Sequence, residues 1–188
     1  ICAGLKEEMS VTIKGHVGYY CGGMNQKAHI SIEGNAGTGL GENMMSGTIH
    51  VKGNTSQSAG ATAHGGNIII DGDASSRCGI SMKGVDIIVK GSVGHMSAFM
   101  AQAGTLMICG DAGEALGDSI YETVIYLAGK PKSLGVDCIE KKVNKNDLKK
   151  IENLIKIGNI KKLKPHNFKK FGSARKLYNF NIDNVSNY

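Results

Sequence analysis

The sequence predicts an all-β solenoid: a single-stranded parallel β-helix of about six or seven coils, followed by a C-terminal helix and an extended tail. Three observations predict it. A glycine recurs every 19 residues without insertion, at Gly15, Gly34, Gly53, Gly72, Gly91, Gly110 and Gly129. A strict period near 20 residues marks a chain whose single coil cannot bury its apolar face alone and must stack on the next. Two columns ahead of the first six glycines are aliphatic throughout. Four residues before stand Val11, Ile30, Ile49, Ile68, Ile87 and Leu106; two before stand Ile13, Ile32, Val51, Ile70, Val89 and Ile108. A spacing of two places both columns on one side of a short strand. Finally, 25 of the 27 glycines precede residue 140, and the period makes them corners rather than a disordered tract.

Residues 1–10 are an entry segment, and the repeats run from 11 to 129. Two residues after each glycine come Val17, Ala36, Thr55, Ala74, Val93 and Ala112, small side chains suited to a second face across a narrow core. Seven residues after come Gly22, Gly41, Gly60, Gly79, Ala98 and Gly117, where the backbone needs positive φ or a close approach. Coils stacked about 4.8 Å apart make a rod of roughly 30 Å. Just before the glycines, Lys14, Glu33, Lys52, Asp71 and Lys90 alternate in sign and attract when stacked. Just after them, His16, Asn35, Asn54, Asp73, Ser92 and Asp111 are mostly turn formers. Pro131 is expected to end regular pairing.

The period then changes. Over residues 144–157, Leu148, Ile151, Leu154 and Ile155 share a helical face, with lysines opposite. Asn146 is the expected N-cap and Gly158 the stop. Such a helix would cap the open end of the solenoid, which otherwise exposes unpaired backbone. Residues 161–188 lack strong periodicity, but their aromatics predict packing on the solenoid or on a partner. The chain thus divides into a solenoid unit, 1–139, and a basic unit of helix and tail, 140–188.

The net charge of +6 hides an asymmetry. Residues 1–139 carry nine Lys/Arg against twelve Asp/Glu, a balance of −3; residues 140–188 carry thirteen against four, a balance of +9. Phe168, Phe171, Tyr178 and Phe180 lie among these cations, yet no nucleic-acid module motif occurs, so the segment reads as solvated or subunit-docking. No apolar run approaches the ~20 residues of a membrane span. No secretory signal is visible, and the chain starts at Ile1 rather than Met. The five cysteines form no CxxC pair. Cys21 and Cys78 share a column three coils apart, roughly 14 Å, beyond disulfide reach. An odd number of free thiols predicts a reducing compartment and a cytoplasmic location, in which the sequons at Asn54 and Asn184 stay bare.

The repeat accounts for the residues that could carry chemistry. The cluster Gly34-Asn-Ala-Gly37-Thr-Gly39-Leu-Gly41 is glycine-rich like a phosphate loop, but no helix can open there before the next coil begins. His16, His29, His50, His64 and His95 fall in five different columns and form no ladder, and no His–Cys metal spacing occurs. Asp71, Asp73 and Asp86, with Arg77 as the solenoid's one arginine, make a poor polysaccharide-cleaving groove. The column Thr12, Ser31, His50, Ile69, Ile88, Met107 is not the uniform array of an ice-binding or adhesive face. No serine sits in a triad context. The expectation is no catalytic, cofactor-binding or metal-binding residue on this chain.

The repeated glycine corners, the cluster at residues 34–41, and the segments Met45-Ser-Gly-Thr-Ile49 and His64-Gly-Gly-Asn-Ile68 resemble the GXGXG domain, the C-terminal β-helix of the large subunit of glutamate synthase. Phe171-Gly-Ser-Ala-Arg-Lys-Leu-Tyr-Asn-Phe180 resembles the end of the stand-alone subunit of N-methylglutamate synthase and other split glutamate synthases. A more distant likeness is the β-helix subunit of formylmethanofuran dehydrogenase, a molybdenum or tungsten enzyme. The resemblance implies a right-handed β-helix acting as a non-catalytic scaffold. It implies a glutamine amidotransferase subunit and an FMN-containing synthase subunit as partners, with FMN and an iron–sulfur cluster held there and not here. Cys2 does not match the amidotransferase nucleophile, since the chain leads straight into the solenoid. Tail residues Arg175, Lys176, Tyr178 and Phe180 are the expected docking residues. A homo-oligomer of the isolated chain, and a self-contained ligand-binding solenoid, stay open at this point.

Overall fold

The structure, a computed structural model, describes residues 1–175. Seven short strands stack in parallel and in chain order: β1 (Ser10–Ile13), β2 (His29–Ile32), β3 (Thr48–Val51), β4 (Asn67–Ile70), β5 (Lys83–Val89), β6 (Ala103–Ile108) and β7 (Val124–Leu127). Strand residues pair with those 19 positions on: Val11 with Ile30, Ile30 with Ile49, Ile68 with Ile87, Leu106 with Ile125; the exception is Lys83 with Ala103, where a bulge shifts the register by one. The result is a β-solenoid of about six turns, as the period predicts.

The aliphatic columns explain the packing. Ile30, Ile32, Ile49, Val51, Ile68, Ile70, Ile87, Val89, Leu106, Ile108, Ile125 and Leu127 all point inward and are at most 2% exposed. Burying each contributes about 1.5–3 kcal/mol. Across the core, single-residue bridges join Val17, Ala36, Thr55, Ala74, Val93, Ala112 and Pro131 in turn. The small side chains of this column let the second wall approach the first.

Pro131 does not end the pairing. It bridges to Ala112, and the ladder there uses the N–H of Ala112 to Lys130 and the N–H of Lys132 to Ala112. Proline's missing donor is therefore not required. The coil continues until Leu134 lies beside Leu116 and Ser119 donates to the carbonyl of Val136.

Beyond that point the sheet changes direction. β8 (Cys138–Lys141) and β9 (Lys169–Ser173) are antiparallel to each other, and β9 inserts between β7 and β8. β8 thus runs through the 139/140 junction, and β9, far along the basic segment, joins the solenoid's own sheet. Phe171 enters the core with 2% exposure.

Helix α1 (Lys145–Ile157) corrects two expectations. Its N-cap is Asn144, not Asn146. The Asn144 side chain accepts from the N–H groups of Asn146 (2.8 Å) and Asp147 (3.0 Å), while Asp147 accepts the N–H of Asn144 (2.8 Å). This is a capping box, and only Asn144 has an acid three residues on to complete it. Nor does the helix lie across the open end. Ile151 and Leu154 pack on Ile69, Ile88, Met107 and Tyr126, on the outer face of the sheet. That outward column is polar at Thr12, Ser31 and His50 and apolar from Ile69 onward, so the flank, not the end, needs covering. A helix of 13 residues is roughly 20 Å long, enough to cross β4 to β7 at about 4.8 Å per strand. Leu148, placed on the same face from sequence, is 39% exposed.

Candidate functional site

The repeat glycines lie where successive coils come closest. A Cβ on Gly34 would sit 2.7 Å from the carbonyl oxygen of Gly15 and 2.7 Å from His16 Nδ1. Gly53, Gly72, Gly91, Gly110 and Gly129 meet the preceding corner in the same way. Gly15, on the first coil, has open space around it but φ of +130°. The residues after the glycines do more than form turns. Each side chain accepts the backbone N–H one coil on: Asn35 from Asn54 (2.8 Å), Asn54 from Asp73 (2.8 Å), Asp73 from Ser92 (2.7 Å), Ser92 from Asp111 (3.0 Å), Asp111 from Lys130 (2.8 Å). His16 Nδ1 begins the series, accepting from Asn35 at 2.9 Å. An acceptor ladder thus runs along one edge of the rod.

A second corner is built from alternating left-handed residues. Tyr20, Gly22 and Met24 have φ of 54°, 69° and 56°, and the set recurs in later coils as Ser58, Gly60, Thr62 and Met96, Ala98, Met100. The middle member follows the sequence expectation. A Cβ on Gly60 would meet Ile87 Cδ1 at 2.5 Å. The outer members were not legible, because Tyr, Met, Ser and Arg carry no left-handed signature. Their cost of about 1–2 kcal/mol each is offset by inter-coil bonds: the Tyr20 N–H reaches Thr38, and that of Ser58 reaches Ser76.

Of the four neighbouring pairs in the charged column, two form ion pairs. Lys52 pairs with Glu33 at 2.7 Å and Lys90 with Asp71 at 2.8 Å, and Asp71 also meets His50 Nε2 at 2.9 Å. Partial burial raises the Asp71 pKa, but the bonds from Lys90 and His50 outweigh it and hold the carboxyl below its usual value. Glu33 is lowered chiefly by its hydrogen bond from Lys52.

Four of the five thiols are poor nucleophiles as placed. Burial pushes Cys21, Cys109 and Cys138 up to about 11, and fully buried Cys78 up to about 12. At neutral pH these groups stay protonated, whereas the thiolate is the reactive and ligating form. Among the described residues, which include all five cysteines, no group of three or more His, Cys, Asp or Glu stands close enough to hold a metal ion. An iron–sulfur cluster, normally held by four thiolates, does not fit this distribution. A cavity of about 310 Å³ lies on the left-handed corner, with Tyr20 and Glu42 the titratable side chains among its lining. A second, of about 250 Å³ beside β9, is lined by Glu122, Thr123, Lys141, Lys170, Ser173 and Arg175.

The C-terminal flank carries the tightest polar cluster. Asp147, 6% exposed, accepts from Tyr126 Oη (2.8 Å) on β7, from Lys170 Nζ (2.8 Å) on β9, and from its own cap. Burial opposes its charge, yet the Lys170, Asn144 and Tyr126 donors win and hold the carboxyl below its ordinary range. Burial and then Asp147 push the Tyr126 phenol well above its usual pKa. One carboxylate thus fastens helix, last parallel strand and closing strand. Of the expected docking residues, Arg175 is 63% exposed and pairs with Asp137; Lys176, Tyr178 and Phe180 lie outside the described residues. No helix of the described chain is long and apolar enough to cross a membrane.

A glycine-cornered β-solenoid with a 19-residue period defines the class of protein. Comparison with known proteins then places it: the GXGXG motif family matches residues 1–183, and the chain belongs to that family. This makes it glutamate-synthase-related. It is also 52% identical over 96 residues to Protein GlxC of Rhizobium meliloti (strain 1021), a stretch covering 51% of this chain and 42% of that protein.

Proposed function

We propose that this chain is a non-catalytic structural and assembly subunit of a glutamate-synthase-type oxidoreductase in the cytoplasm. The assembled enzyme takes the amide nitrogen of glutamine and makes glutamate or an N-substituted glutamate such as N-methylglutamate. The partners are a glutamine amidotransferase subunit and an FMN-containing synthase subunit, which carry the nucleophile, the flavin and the iron–sulfur cluster. The single observation that carries the reading is how the polar groups are used. Asn, Asp, Ser and His of the corner column accept backbone N–H groups between coils, and four of the five thiols are held protonated by burial. Side chains spent on stacking make a stiff spacer. Membership of the GXGXG family supports the glutamate-synthase part of this reading.

The test is purification of the native protein at its natural level, with mass spectrometry of what accompanies it. An amidotransferase chain together with a flavin-containing synthase chain is the expected outcome. A molybdopterin or tungstopterin subunit would move the protein to an enzyme of the formylmethanofuran dehydrogenase type. An unaccompanied chain that binds a sugar would make it a self-contained solenoid.

A further inference from the structure

The layer over the sheet's flank is far more basic than its packing requires. α1 turns Ile151 and Leu154 to the sheet, which leaves Lys145, Lys149 and Lys156 in one stripe on the opposite side. After Gly158 the chain returns along the helix, anchored by Ile160, Leu163 and Phe168 in the same apolar cluster. Lys161, Lys162 and Lys164 on this return segment are exposed, as is Lys142 before the helix. The carboxylates of the layer are already engaged: Glu140 with Lys169, Asp147 with Lys170, Glu152 with Lys156. Lys142, Lys145, Lys149, Lys161, Lys162 and Lys164 form no ion pair among the described residues. A block of like charges without counter-charges is unfavourable to keep in isolation and favourable to match against an anionic surface.

We infer that this lysine-covered flank is the docking face for an acidic patch on a partner subunit of the assembled enzyme. The inference rests on the proposed function and gives the contact a place: the helix and its return segment, ahead of the tail. Two other anionic partners fit less well. Single-stranded nucleic acid stacks its bases on exposed aromatic platforms, but among the described residues of the basic segment Phe168 and Phe171 are 3% and 2% exposed, and Arg175 is paired with Asp137. Insertion into a membrane surface needs a free apolar helix face, and that face of α1 is spent on the sheet.

The experiment assembles the full chain with co-expressed amidotransferase and synthase chains, then compares lysine acetylation in the free and assembled states. Lys145, Lys149, Lys161 and Lys162 are expected to label several-fold more slowly in the complex, while Lys6, Lys27 and Lys83 on the solenoid are unchanged. The variant carrying Lys145→Glu, Lys149→Glu, Lys161→Glu and Lys162→Glu is expected to melt as the wild type does and to assemble at least about tenfold more weakly at low salt. A complex that forms with these lysines labelled at their free rate overturns the inference and leaves the proposed function standing. Absence of any complex defeats the proposed function and the docking face with it. Submicromolar, salt-sensitive binding of a 20-nucleotide RNA that protects the same lysines, beside a complex that leaves them open, would reassign the face to nucleic acid.

Discussion

Two glycines show how different the corner positions are. A Cβ on Gly72 would lie 2.9 Å from the Gly53 carbonyl oxygen and closer still to Asn54 Oδ1, both parts of the coil stack. Gly72→Ala is expected to cost about 1–3 kcal/mol in urea unfolding, the range of an overpacked site. Gly18 has no atom within 4 Å of its ideal Cβ and no left-handed φ. Gly18→Ala should leave stability unchanged or raise it by about 0.4–1 kcal/mol, by narrowing the unfolded ensemble. A loss at position 18 as large as that at 72 would mean that general loss of flexibility, not coil contact, is what the glycines supply. The acceptor ladder gives a sharper chemical test. Asn54→Ala removes the acceptor for the Asp73 N–H and is expected to cost about 0.5–1.5 kcal/mol. Asn54→Asp should restore it, since Asp73 and Asp111 already serve that role. The sequence located these residues correctly as a column. It could not show that their side chains reach across coils, because a local Asn-turn and a ladder require the same residue types.

At the scale of elements, helix α1 is held by one apolar stripe and one carboxylate. Ile151→Ala empties a fully buried site and is expected to cost about 2–4 kcal/mol, whereas Leu148→Ala, 39% exposed, should cost well under about 1 kcal/mol. The Asp147 carboxyl is depressed in the folded state. Its contribution is therefore complete above the ordinary carboxylate pKa, near pH 4, and is lost as pH falls through the lower folded value. Asp147→Asn should cost about 2–3 kcal/mol at pH 7, as loss of charged hydrogen bonds does. The penalty should shrink in acid, so that melting curves of variant and wild type begin to converge below about pH 4. A difference that stays constant with pH would show that the carboxylate's charge is not what the variant loses. The helix itself was plain in the sequence from its 3.6-residue period. Its seat was not, although the signal was present: the outward column turns apolar at Ile69, and a flank of isoleucine, methionine and tyrosine needs a cover. Read by itself, that column only failed to look like a binding array.

The whole molecule joins its two charge halves through the closing strand. β9 lies between β7 and β8, so the basic segment as far as β9 is part of the rod's own sheet. This changes how the tail is to be tested. Residues 161–188 lack strong periodicity in the sequence and so invite deletion as a unit. The structure places Phe168 and Phe171 in buried clusters and Lys170 on Asp147 within that same stretch. Removing it strips the strand that covers β7 and leaves Asp147 without its cation. The chain ending at residue 160 is therefore expected to lose several kcal/mol, as expected for emptied aromatic sites and a broken buried pair, and to aggregate through the bared edge of β7. Its failure to assemble would say nothing about docking. A chain ending at Arg175 keeps β9, both phenylalanines and the Asp137 pair, and should melt within a few degrees of the full chain. If it also assembles with the amidotransferase and synthase chains, residues 176–188, including Lys176, Tyr178 and Phe180, are dispensable and the contact lies on the folded flank. If it stays folded and no longer assembles, the tail carries contact of its own, and the lysine face must be weighed beside it.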